Sequence, residues 1–120
     1  MAPLVSIILP TFNRAHFLEQ AFRSLASQKY QVFEIIIVDD GSTDNTKDVI
    51  NTLTTKVAQP VRYIYQENQG PGAARQNGIY EASGELLAFF DSDDEWLPEH
   101  LSEGVDVLKQ FPECDWVYFA

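Results

Sequence analysis

The sequence predicts an α/β domain: a mostly parallel, open sheet with helices on both faces. Three observations carry that expectation. Short apolar runs rich in Val and Ile alternate along the chain with segments whose apolar residues recur at helical spacing. Such alternation implies crossover units, and therefore parallel strands covered on both sides and joined by right-handed connections. The apolar runs also end in turn-forming or acidic residues. These collect at the carboxyl ends of the strands, where open sheets of this kind bind ligands.

Leu4 to Leu9 reads as the first strand, broken by Pro10-Thr11-Phe12-Asn13. Phe17, Leu18, Ala21, Phe22 and Leu25 then fall on one helical face. Phe33 to Val38 is a second strand. Ser42, Thr43 and Asp44 supply N-cap chemistry for a helix with Val49, Ile50 and Leu53 inside. Val61 to Tyr65 is a third strand. Pro71 suits the first turn of a helix that carries Ala73, Ala74 and Ile79 and ends near Gly84. Glu85 to Phe90 is the fourth strand. Pro98-Glu99 opens a last helix with Leu101, Val105 and Leu108 inside. Trp116 to Phe119 begins a fifth strand, in which the chain stops. This suggests a fragment whose open edge favours self-association.

Composition narrows the function. The 120 residues suit one domain with one core, and 45% are apolar, as in a soluble globular protein. A net charge of −10 argues against a nucleic-acid or anionic-membrane partner. It still allows a small phosphorylated ligand, because a bound cation reverses the local field. Cys114 is the only cysteine, so no disulfide forms within the chain, which fits a reducing compartment. No stretch is apolar enough to span a bilayer, and Met1-Ala2-Pro3 lacks the basic region of a signal peptide. The expected location is cytoplasmic, or peripheral to a membrane for the whole protein.

Two apolar runs drive straight into acid. Ile35 to Val38 meets Asp39-Asp40-Gly41-Ser42, and Leu86 to Phe90 meets Asp91-Ser92-Asp93-Asp94. In extended chain Asp91 and Asp93 point the same way and make half of a site for a hard divalent cation. Neither a dinucleotide fingerprint nor a P-loop is present. Carboxylates repel a diphosphate unless a cation bridges them. Asp91 and Asp93 therefore read as ligands of Mg²⁺ or Mn²⁺, with diphosphate oxygens and water completing the shell. Such an ion would stabilise a departing diphosphate.

Four segments in order, covering residues 4 to 98, resemble family 2 glycosyltransferases: Val5 to Arg14, Glu34 to Asp44, Asn68 to Gly78, and Gly84 to Asp94 followed by Pro98. The resemblance implies a GT-A fold, a nucleotide-diphosphate sugar donor, inversion at the anomeric carbon, and an acceptor that is a glycan, lipid or protein. It implies that Pro10, Thr11 and Phe12 meet the nucleoside, with Phe12 able to stack on the base and Arg14 able to reach base or phosphate. Asp40 matches the acid that binds the pyrimidine edge, whereas Asp39 holds the loop. Asn68, Gly72 and Arg75 approach base and ribose. Asp91 and Asp93 match the Asp-x-Asp signature with Ser92 between them. The match implies that Asp93 is the main metal ligand and that Asp91 binds ribose, metal or both, with Asp94 a further candidate.

Blander roles compete. Asp39, Asp40, Ser42 and Asp44 suit turns and caps, Arg75 suits a solvated helix face, and Phe12 suits the core. Trp96 suits either the sugar pocket or packing under the acidic loop. Tyr63, Tyr65 and Tyr80 read as core or rim aromatics, and His16 and His100 receive no role. The family's general base lies beyond residue 120, so no catalytic residue is assigned. Residues 1–120 are the donor-binding part, expected to be inactive alone. A non-catalytic binding module is the rival reading. A phosphorelay receiver domain would want a lysine ending the fifth strand, and a sugar nucleotidyltransferase a glycine-rich first loop. Neither is present.

Overall fold

A computed structural model of the chain describes residues 2–91 and 94–111. Among them, β1 (Val5–Thr11), β2 (Phe33–Asp39), β3 (Val61–Tyr65) and β4 (Leu86–Phe89) form one sheet in the order β3-β2-β1-β4. All three pairings are parallel. Helices α1 (Ala15–Ala26), α2 (Thr46–Leu53), α3 (Pro71–Glu81) and α4 (His100–Gln110) connect or follow the strands, and a 3₁₀ turn at Thr54–Lys56 extends α2. The predicted fifth strand at 116–119 and Cys114 lie outside the described residues.

Every residue of β1 and β2 is buried, as two covered faces require. Alternation divides their side chains. Ile7, Leu9, Ile35 and Ile37 pack with Leu18, Phe22, Ile50 and Leu101, the inner faces of α1, α2 and α4. Ile8, Ile36 and Val38 pack with Ala74 of α3. Helix α3 lies close because Gly78 has no side chain. A Cβ there would sit 2.4 Å from Ile8 Cγ2.

Some predicted boundaries need correction. Pro10 does not end the first strand, which runs on to Thr11. Even-numbered residues of β1 bond toward β4: the Leu4 and Ile8 carbonyls accept from the Leu86 and Phe90 N–H groups. Odd-numbered residues bond toward β2, where the Thr11 carbonyl accepts from Asp40 N–H. Pro10 belongs to the β4 set, and its missing N–H falls where β4 has already ended. It costs no β1–β2 bond and stops the ladder that would carry β4 onward.

Helix α3 stops at Glu81 rather than near Gly84. Gly84 instead lets the chain pass close to β1, since a Cβ there would lie 2.6 Å from Leu4 O and Ser6 Oγ. The N-cap of α2 is Asn45, whose side chain makes no capping bond. Asp44 caps from one residue earlier, where Oδ1 accepts from Thr46 N–H at 3.1 Å. Tyr80, expected in core or rim, stands 84% exposed on the outer side of α3.

Candidate functional site

The loops after β1, β2 and β3 meet at one rim and are held there by side-chain bonds. Asn13 adopts a left-handed backbone (φ 51°), a conformation Asn tolerates better than most residues. Its N–H donates to Ser42 Oγ at 2.8 Å, and its Oδ1 accepts from the N–H groups of Thr43 (2.8 Å) and Asp44 (3.2 Å). Asp44 returns the contact by accepting from Ala15 N–H, at the start of α1. Ser42 and Asp44 thus have the turn-and-cap roles that local chemistry allows them.

Asp39 and Asp40 divide their work. Asp39 is 1% exposed, accepting from Ser42 N–H at 2.9 Å and from the Tyr63 hydroxyl. Burial and this carboxylate push the Tyr63 hydroxyl above its ordinary range. Asp40, 5% exposed, holds the next loop. Its Oδ1 accepts from Gln66 Nε2 and Gln69 N–H, both at 2.8 Å, and its Oδ2 accepts from Gly70 N–H at 2.9 Å. Burial opposes its charge, but these three donors more than offset that and hold the carboxyl below its usual range.

A cleft of about 470 Å³ opens at this rim. Pro10, Thr11, Phe12, Arg14, Asp40, Asn68, Arg75 and Asp91 line it, together with Gly70, Pro71 and Ala74. Phe12 is 44% exposed and therefore not a core residue. The Arg14 guanidinium lies 5.5 Å from the Phe17 ring centroid. Thr11 is 3% exposed, and its hydroxyl has no hydrogen-bond partner among the described residues. Gly72 lies in the first turn of α3, exposed and outside the lining.

Asp91 bounds the cleft on the β4 side. Arg75 reaches it from α3, with Nη2 to Asp91 Oδ1 at 3.0 Å, so Arg75 is not merely a solvated helix residue. The Asp91 carbonyl accepts from Asp94 N–H at 2.9 Å, three residues on. The backbone N–H of Asp91 in turn donates to Asp94 Oδ2 at 3.3 Å. Ser92 and Asp93 lie outside the described residues. Beyond this loop, Trp96 packs in the core against Phe90 and stacks on His100, with centroids 4.6 and 4.2 Å apart. Burial, opposed by the charges of Asp94 and Glu103, pulls His100 below its ordinary pKa.

Three contributors escaped the sequence reading. Asn13 carried a signal, being an Asn in a turn segment. Gln66 and Gln28 carried none, because a glutamine's burial and partners are set only by tertiary contacts. Gln28 is 2% exposed. Its Nε2 donates to the Leu97 carbonyl at 2.8 Å, and its Oε1 accepts from Leu101 N–H at 3.1 Å, which ties α1 to the entry of α4.

The parallel α/β sheet is that of the GT-A nucleotide-sugar transferases. The structure is similar to a mannosyltransferase from Pyrobaculum calidifontis in complex with GDP-Man and Mn²⁺, with a TM-score of 0.84 and 26% identity, covering 90% of this chain and 33% of that one. It is also similar to Staphylococcus aureus TarS in complex with UDP, with a TM-score of 0.80 and 31% identity over 88% of this chain and 32% of that one. Residues 6–119 match the family described as Glycosyl transferase family 2, and the chain belongs to that family.

Among curated relatives, an uncharacterized glycosyltransferase of Nostoc sp. is 42% identical over 105 residues, 88% of this chain and 33% of its own length. The GalNAc(5)-diNAcBac-PP-undecaprenol beta-1,3-glucosyltransferase of Campylobacter jejuni is 43% identical over 102 residues, 83% of this chain and 33% of its own. The chain spans about a third of the length of these two relatives. Among the described residues, no helix is long and apolar enough to cross a membrane.

Proposed function

We propose that this chain is the donor-binding part of an inverting glycosyltransferase that moves a sugar from a nucleotide diphosphate to an acceptor hydroxyl, with UDP as the carrier. The observation that carries this reading is the rim cleft, where Asp40 and Asp91 stand with Phe12 and two arginines in one hollow. An exposed aromatic ring suits a base, guanidinium groups suit phosphate, and carboxylates suit base or ribose donors and a hard cation. TarS with UDP supports a uridine carrier by similarity, and the mannosyltransferase with Mn²⁺ supports a divalent ion.

The residues fit such an ion. Asp91 presents a half-exposed carboxylate on the cleft wall, and the exposed Asp94 adjoins it. Oxygen donors of this kind suit Mg²⁺ or Mn²⁺. The described residues contain no group of three or more His, Cys, Asp or Glu side chains able to hold a metal. Asp93, diphosphate oxygens and water would complete the shell. The ion, when bound, supplies charge stabilisation to the departing diphosphate. Phe12 would stack on the base, Asp40 would accept from its ring edge, and Asn68 and Arg75 would approach base and ribose.

No residue of this chain is assigned the proton transfer from the acceptor. Asp39, Asp40 and Asp44 are each occupied as acceptors within the loops. The chain alone is therefore expected to bind donor and transfer no sugar.

The test is calorimetric titration of UDP with Mn²⁺ and with chelator. Wild type should bind more tightly with Mn²⁺, Asp93→Asn should lose most of that difference, and Asp40→Asn should weaken binding in both conditions. Equal wild-type affinity with and without Mn²⁺ would remove the metal from the proposal. No binding of UDP in either condition would remove the uridine carrier.

A further inference from the structure

We infer that Arg75 is an exchangeable counter-ion. It neutralises Asp91 while the cleft holds no donor, and moves to the donor's diphosphate when a divalent cation takes its place on Asp91. This rests on the donor reading above and specifies which residue of this chain links the two ligands.

Both partners line the same cleft, yet they come from different elements: Arg75 from α3 and Asp91 from the segment after β4. They are bound through one guanidinium nitrogen and one carboxylate oxygen, 3.0 Å apart. Both side chains are substantially exposed, at 40% and 51%. An ion pair this open contributes little to stability and exchanges readily. A buried one would resist exchange, because breaking it strands a charge in a low dielectric.

The charges then decide the order of events. A cation arriving alone must displace a guanidinium from Asp91 and leave it close by, like charge beside like charge. A diphosphate arriving alone meets an arginine already spent on a carboxylate. When both arrive, the cation takes Asp91 and the freed guanidinium takes a phosphate oxygen, which it binds with charge-assisted hydrogen bonds. Each ligand removes the obstacle to the other, so their affinities are positively and reciprocally coupled. Arg14 does not serve equally, since it approaches from the loop after β1, over Phe17.

The experiment uses the 120-residue chain and two readouts: free Mn²⁺ by electron paramagnetic resonance without nucleotide, and UDP by calorimetry with Mn²⁺ and with chelator. Arg75→Gln should bind Mn²⁺ about two- to fivefold more tightly than wild type when UDP is absent, the range expected for losing an exposed competing pair. The same variant should lose about tenfold in the factor by which Mn²⁺ raises UDP affinity, as for one charged hydrogen bond. Arg75→Lys keeps a cation and should restore most of both wild-type values. Opposite signs in the two readouts support the exchange. Unchanged Mn²⁺ affinity, or a coupling factor equal to that of wild type, overturns it. A wild type that shows coupling while Arg75→Gln shows the same coupling sinks this inference alone. A wild type without coupling sinks the metal-bridged donor reading and this inference with it. An unchanged thermal midpoint in both variants confirms that neither result comes from unfolding.

Discussion

Asp40 shows how one residue serves both fold and site. Its carboxylate has three donors from the loop 66–70 and still lines the cleft. Because its folded pKa is lowered, its contribution to stability is fully present above the ordinary carboxylate range, about pH 4. That contribution is lost as pH falls through the lower folded value. Asp40→Asn would turn an amide N–H₂ toward donors and should destabilise the protein by about 1–3 kcal/mol at pH 7. The gap between wild type and variant in urea midpoint should be widest at pH 5–7 and shrink below about pH 4. A gap that stays constant from pH 7 to pH 3 would show that the charge does not hold the loop. Asp44, also lowered against an opposing burial effect by bonds from Thr46 and Ala15, titrates in the same sense. It must stay unmutated in the comparison.

At the scale of elements, the strands were the most legible part of the sequence. Val61–Tyr65 was marked by composition alone, and Phe33–Asp39 differs from expectation by one residue. Apolar runs of β-branched residues have few alternatives when both faces must be buried. Helix ends were less legible, because the bonds that end them come from elsewhere in the chain. The entry of α4 is an example. Its Leu101 N–H is satisfied by Gln28, just past the end of α1, and not by a local cap. Gln28→Leu should therefore cost about 2 kcal/mol in urea unfolding, since it leaves the Leu101 N–H without its buried acceptor, while the Leu97 carbonyl keeps the His100 N–H. Amide exchange at Leu101 should accelerate by more than the global loss of stability accounts for. Exchange that follows the global change alone would mean the bond adds nothing local.

At the scale of the whole molecule, a net charge of −10 sets a field that repels a nucleotide diphosphate from a distance. Monovalent salt screens that field, with a Debye length of about 10 Å at 0.1 M. The proposed cation acts differently, by standing between Asp91 and the phosphates. NaCl at the ionic strength of the MnCl₂ used should therefore reproduce only a small part of the gain in UDP affinity. If NaCl and MnCl₂ gave the same gain, general screening would explain it and no bound ion would be needed.

The sequence by itself determined the layer architecture, the strands and the rim at which ligands would bind. Those follow from the period of apolar residues and from the turn and acidic residues that end each run. Through the resemblance to a family it also marked many of the residues that line the cleft, from Pro10 to Asp91, but it included Gly72, which stands outside the lining, and left out Gly70, Pro71 and Ala74. Only the tertiary structure decided how those residues are shared out. It occupied Asp39 with Ser42 and Tyr63, gave Asp40 to the loop before α3, and placed Trp96 in the core. It also paired Arg75 with Asp91 across sixteen positions of sequence. The physical reason is range. Periodicity and turn chemistry are local and visible in a window of residues. Which donor satisfies which carboxylate depends on contacts between segments as far apart as Asn13 and Ser42, which no window contains.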